Sequence, residues 1–302
     1  MVVFLSIMDE LGKSVVKSIR IEYNRYNCEN VKERNEKMTI SNPYLLAAIG
    51  TGFTFLMTTL GAATIFLIRK EIKPAMQSGF LGFAAGVMIA ASVWSLLIPS
   101  MEQAKELGLP EWLPAGGGFI LGGLFLLLLD KLLPHLHPGS DEPEGPKSSL
   151  KRTTMLVFAV TLHNIPEGMA VGLSFALSSA AGSSTTLAAA IALAVGIGLQ
   201  NFPEGAAISL PLYKEGCSRF KSFLYGSLSG IVEPIAGVAT VAIVGGATVA
   251  MPWLLSFAAG AMIYVVVEEL IPEANLNAHS HAGTLGVMAG FLIMMIMDVA
   301  LG

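Results

Sequence analysis

The sequence predicts an all-α integral membrane protein: eight transmembrane helices, with an inverted repeat (helices 1–3 and 6–8) around central helices 4 and 5. Three observations lead there. The 302 residues are 53% hydrophobic and only 13% charged, with a mean hydropathy of +0.66, whereas a soluble domain carries about 25% charged residues. Apolar stretches near the ~20 residues needed to cross the hydrocarbon core recur along the chain. Sequence patterns in the first three stretches return in the last three.

Residues 1–42 differ in kind. Met1–Met8 is apolar but too short to span, and it lacks the basic start and long apolar core of a signal peptide. Asp9–Lys37 is rich in both charge signs, which predicts an amphipathic or disordered tail outside the bilayer. The transmembrane region then covers 43–302, with candidate spans at 43–68, 79–99, 115–133, 154–178, 185–212, 220–246, 250–271 and 283–301. Polar or Gly/Pro-rich breaks separate them, the longest being 134–152.

Loop charge sets the orientation. Arg69, Lys70 and Lys73 follow the first span. Lys131, Lys147, Lys151 and Arg152 follow the third, and Lys214, Arg219 and Lys221 follow the fifth. The loops after the second, fourth and sixth hold only Lys105. Basic loops stay cytoplasmic, so both termini are expected outside and 134–152 inside. The seven Lys and Arg of the tail argue the other way, accompanied by six acids. The net charge of −4 shows no basic excess and speaks against a nucleic-acid partner. Cys28 and Cys217 form no disulfide framework.

The repeat is legible in detail. Phe83-Ala84-Ala85-Gly86, ending at Leu97-Ile98-Pro99, recurs as Phe257-Ala258-Ala259-Gly260, ending at Leu270-Ile271-Pro272. Gly118, Gly122 and Asp130 match Gly286, Gly290 and Asp298 at a constant shift of 168. Each helix lies an odd number of spans from its copy, so the two copies run in opposite directions. Inverted repeats around a midplane site are a transporter signature.

The central pair carries the chemistry. His163-Asn164-Ile165-Pro166-Glu167-Gly168 returns as Gln200-Asn201-Phe202-Pro203-Glu204-Gly205. His163 and Glu167 share one helix face, as do Gln200 and Glu204. Pro166 and Pro203 free the carbonyls of Leu162 and Leu199. An acid at the centre of a spanning helix costs roughly 2.5–3.5 kcal/mol on insertion scales, so two copies of one costly pattern are read as two halves of one site. The donor set of one imidazole, two carboxylates and amide oxygens suits zinc, iron or manganese better than copper(I). Glu233, in Ile231-Val232-Glu233-Pro234, is a third buried acid placed to complete a second ion position, with Met57 near the matching place in the first span. Met88 offers a thioether or simply packs. Asp130, Asp298, Glu268 and Glu269 are candidate pathway acids. His135 and His137 in the third loop, and Glu273, His279 and His281 after the seventh span, complete the metal-competent side chains.

These residues resemble the ZIP (Zrt-, Irt-like protein) family of divalent-metal transporters, most closely its bacterial GufA-like branch. The resemblance rests on the motif pair, on Glu233-Pro234 and on the eight-span plan, and it covers 43–302. It implies zinc, with cadmium, iron or manganese as relatives, moving into the cytoplasm through a homodimer in a plasma (bacterial inner) membrane by an elevator-like or rocking movement. It also implies a binuclear site: His163, Glu167, Gln200 and Glu204, with Met88, at one position; Asn164, Glu167, Asn201, Glu204 and Glu233 at the other. Bacterial members carry Asp where this chain has Asn201. The expectation is a transporter rather than an enzyme. An intramembrane metalloprotease would show His-Glu-x-x-His, which is absent here. A metal sensor would need a soluble output domain.

Overall fold

The computed structural model describes residues 42–67, 73–132, 152–181, 184–214, 216–244, 248–275 and 280–301. All belong to the unit Ile40–Gly302. The expected tail, the loop with His135 and His137, and His279 lie outside the described residues.

Among the described residues there is no strand, and the eight expected spans are all helical. They are α1 (Pro43–Phe66), α2 (Pro74–Glu106), α3 (Trp112–Leu132), α4 (Arg152–Ala181), α5 (Ser184–Lys214), α6 (Arg219–Val244), α7 (Met251–Ala274) and α8 (Ala282–Leu301). Among the described residues, seven of these are long and apolar enough to cross a membrane. The remaining helix, α4, runs for 30 residues. Its His163, Asn164 and Glu167 are buried inside the bundle, so its polar content faces neighbouring helices rather than lipid. Some helices overrun the expected spans at both ends, as at α2 and α4, because helical hydrogen bonding continues beyond the apolar stretch.

Proline shapes the helices locally. Asn42 caps α1 by accepting from the backbone N–H groups of Tyr44 and Leu45, with Pro43 at the first helical position. Gly230-Ile231 interrupts α6, and its second segment starts at Val232, so Pro234 falls in a first turn where its missing N–H is not needed. In α2 and α7 the prolines of the repeated Leu-Ile-Pro sequence, Pro99 and Pro272, each follow a π-helical segment, Ser92–Leu97 and Val266–Leu270. A proline clashes with the carbonyl four residues back, and widening to i→i+5 bonding relieves that clash. The offset between the copies changes from 174 at Phe83/Phe257 to 173 at Pro99/Pro272. The one-residue difference falls across these segments, six residues long in α2 and five in α7.

Glycines then bring helices together in four parallel pairs. Gly82 and Gly86 face the backbone of Gly283 and Val287, and Gly290 that of Phe83, which joins α2 to α8. Gly122 and Gly260 face Phe257 and Phe119, which joins α3 to α7. Gly205 faces Thr58 and Gly61 faces Phe202, joining α1 to α5. Gly168 and Gly172 face Glu233 and Gly237, joining α4 to α6. The pairs exchange under the repeat: α2/α8 maps onto α7/α3, and α1/α5 onto α6/α4. Small residues permit such approach in lipid, where packing rather than hydrophobic burial drives association.

The α3/α7 contact gives a direct test. A side chain at Gly122 must displace the backbone of Phe257 and Ala261, whereas Gly116 has open space around it. Gly122→Val is expected to destabilise the protein by ~1–3 kcal/mol or more, and Gly116→Ala to leave it unchanged, as read by thermal unfolding in detergent.

Candidate metal site

The motif pair sits where α4 and α5 cross the middle of the bundle. His163, Glu167, Gln200 and Glu204 line one cavity of about 120 Å³, together with Met88 of α2 and Glu269 of α7. The cavity extends past Leu210 and Pro211 of α5 and Gln77 of α2 to Glu273 of α7. These lie toward the ends joined by the loops after α1, α5 and α7, the end that carries Lys73, Lys131, Arg219 and Lys221.

Two layers of polar contacts surround it. In the first, the ligand candidates hold one another. His163 Nε2 lies 2.5 Å from Glu269 Oε1. Gln200 Nε2 donates to Glu167 Oε1 at 2.7 Å, leaving Glu167 Oε2 buried without a partner. Glu204 also lines the cavity. In the second layer, Gln200 Nε2 donates to Asn201 Oδ1 at 2.5 Å. Asn201 Nδ2 donates to Glu233 Oε2 at 2.9 Å and to the Thr54 carbonyl at 3.5 Å. Thr58 Oγ1 donates to Glu233 Oε1 at 3.3 Å. Asn164 Nδ2 donates to the Ser229 carbonyl at 3.1 Å, and its Oδ1 is left without a partner.

The repeat accounts for part of this. Asn164 and Asn201 are equivalent, and so are Ser229 and Thr54, at a shift of 175. Each motif asparagine therefore reaches back to the same carbonyl of its symmetric neighbour. The same shift pairs Glu233 with Thr58. The counterpart of Glu233 is thus Thr58, one residue on from the expected Met57, because Gly205 seats against Thr58 as Gly168 seats against Glu233.

Among the described residues, no three His, Cys, Asp or Glu side chains converge into a ready-made metal cluster. Amides separate the acids, and His163 is engaged by Glu269. An ion placed here has to displace a contact between ligands. It would find the unpartnered Glu167 Oε2, the Glu204 carboxylate, the His163 nitrogen and the Gln200 carbonyl close to one cavity, a donor set suited to a borderline divalent cation.

The other expected residues separate. Of the acid pair in α7, Glu269 enters the site and Glu268 is exposed. Asp130, at the basic end of α3, is buried and hydrogen-bonded by Tyr264. Asp298 lies toward the opposite end, where Ser95 Oγ donates to its Oδ1 at 2.6 Å. His281 is exposed. Sequence reasoning missed the threonines of α1. Thr51, Thr54 and Thr58 recur at helical spacing and are fully buried, a polar stripe that signals a partner.

Comparison with known proteins identifies the family. Residues 141–298 match the family described as ZIP Zinc transporter. The human zinc transporter ZIP11 is 36% identical, over 85% of this chain and 97% of its own length. Zinc transporter ZIPB of Bordetella bronchiseptica is 38% identical, over 85% of this chain and 81% of its own. Zinc transporter GufA of Myxococcus xanthus is 34% identical, over 85% and 97%. The chain belongs to the ZIP family. As a ZIP protein it is a multi-pass membrane protein, and the bacterial GufA branch is among its relatives.

If the cavity side chains bind the cargo together, removing the carboxylate that carries the unpartnered oxygen weakens binding. Glu167→Gln is expected to reduce zinc affinity at least tenfold, measured by calorimetry in detergent, while Glu268→Gln, outside the cavity, leaves it unchanged.

Proposed function

We propose that the protein carries a divalent metal cation across the membrane into the cytoplasm, with zinc as the main cargo and cadmium, iron and manganese as further substrates. The observation that carries this reading is that both motif copies, from two different helices, line one cavity that runs to the basic end of the bundle. With basic loops cytoplasmic, that end is the inner face and both termini lie outside. The membrane is the plasma membrane, which in a bacterium is the inner membrane, and the assembly is a homodimer, as the family resemblance implies.

The cargo binds to His163, Glu167, Gln200 and Glu204, with Met88 at the wall. Glu269 exchanges between His163 and the departing ion. It leads with Glu273, Asp130 and Glu268 toward the cytoplasm, while Asp298 stands on the approach from outside. The cavity is lined by α4 and α5 together with α2 and α7. Sliding or rocking between these pairs would expose the site to alternate sides.

Two measurements test this. In proteoliposomes, the wild type should show saturable zinc flux, and Glu167→Ala and Glu204→Ala should each lower it below about a tenth, since either removes an interaction worth more than the ~1.4 kcal/mol of a tenfold change. Equal flux in all three, with the proteins monodisperse, would rule out the motif pair as the transport site. For orientation, Gln77→Cys in a background without Cys28 and Cys217 should react with a membrane-impermeant maleimide in inside-out vesicles and not in right-side-out ones. The reverse pattern would invert the topology.

A further inference from the structure

The second polar layer beside the cavity is arranged as a hydrogen-bonded ladder between two acids. It begins at Glu167 Oε1, which accepts from Gln200 Nε2. The same amide nitrogen donates its other hydrogen to Asn201 Oδ1. Asn201 Nδ2 then donates to Glu233 Oε2 and to the Thr54 carbonyl. Thr58 Oγ1 shares its one hydrogen between the remaining Glu233 oxygen and the Thr54 carbonyl. Asn201 and Glu233 are both 0% exposed, so no solvent competes for these groups.

The chemistry at the two ends fixes the direction of every amide between them. A carboxylate only accepts, so Gln200 must present its nitrogen to Glu167. That leaves Gln200 with a second N–H, which requires an acceptor, so Asn201 turns its carbonyl toward Gln200 and its nitrogen toward Glu233. Reversing the Asn201 amide would set its oxygen against the Glu233 carboxylate and the Thr54 carbonyl, and its nitrogen against Gln200. Three bonds would be lost, and like groups would face one another in a buried site where an unmade bond is expensive. Asn201 therefore has no carbonyl to offer an ion at Glu233. What it presents there is an N–H.

From this we infer that the Asn201 amide nitrogen stands where a second cation would sit, and that the protein takes one metal ion per protomer. The inference rests on the transport-site reading above, and it departs from the binuclear occupancy that the family resemblance implies. Glu233 is then a positioning residue. It anchors Asn201, which orients Gln200, which in turn holds Glu167 and keeps its own carbonyl available to the cargo. Asn164 differs, because its nitrogen is committed to the Ser229 carbonyl while its Oδ1 is left without a partner.

Metal stoichiometry tests this. Zinc bound per protomer is counted by elemental analysis after equilibrium dialysis of the purified full-length protein in detergent, with size-exclusion profile and melting temperature as folding checks. Glu233→Gln is expected to keep the wild-type count. Asn201→Asp, which removes the N–H and adds a carboxylate beside Glu233, is expected to gain one zinc, and the double substitution to lose that gain. Loss of one zinc on Glu233→Gln overturns the inference, and so does an unchanged count on Asn201→Asp. If Glu233→Gln does not fold, Asn201→Ala replaces it, with the same expectation of no loss. The combined His163→Ala and Glu167→Gln variant separates the two readings. It is expected to lose one zinc, and failure to lose it would overturn the transport site itself, whatever Glu233 does.

Discussion

The structure depends on a rule imposed by lipid: a polar side chain buried in the bundle must find its partner within the bundle. This chain meets the rule for its central acids mainly with neutral groups. Glu167 is held by an amide, Glu233 by an amide and a hydroxyl, and only Glu269 by an imidazole. Among the described residues, no Lys or Arg enters this cluster. Acids matched with amides retain attraction for a cation, whereas acids matched with Lys or Arg would already have spent it. The preference for amides over bases in the motif pair is therefore what the proposed carriage of a cation requires.

Those contacts form only because backbones approach closely. Asn164 reaches the Ser229 carbonyl and Asn201 that of Thr54 across helix pairs seated on Gly168 and Gly205. A short Asn side chain bridges two backbones only at such separations. The glycine in each motif is thus tied to the asparagine four residues before it. The same close packing in α2/α8 and α3/α7 makes two walls, and the cavity lies where α2 and α7 meet α4 and α5.

Much of this was legible in the sequence because it rests on period and repetition. Eight apolar stretches gave eight helices, and the paired motif brought His163, Glu167, Gln200 and Glu204 to one cavity. The glycines at a shift of 168 proved to be the packing positions of α3 and α8. The reading was coarser where helical arithmetic breaks down. Helix-wheel reasoning at 3.6 residues per turn cannot separate Glu268 from Glu269, because both lie inside a π-helical turn that changes the register. Met57 and Thr58 differ by one residue, and one residue is about 100° around a helix, so a slightly wrong offset names the wrong side chain. The direction of the Asn201 amide was beyond sequence reading altogether, since it is set by partners on three other residues.

On the proposed function, the mutual bonding of the candidate ligands also bears on why a transport site need not be a tight site. An ion entering between His163 and Glu167 must separate His163 from Glu269 and loosen Gln200 from Glu167. Each contact given up offsets part of what the metal gains, because hydrogen bonds to charged groups are worth ~1.5–3 kcal/mol. The same contacts re-form as the ion leaves, which lowers the barrier to release. A permeating ion must be bound well enough to enter and weakly enough to depart. A preformed cage of four unengaged ligands would satisfy only the first condition. On the same proposal Glu269 gives this exchange a direction. It lies on the wall of the cavity that leads to the basic end, so the carboxylate that takes back His163 is also the first one the departing ion meets.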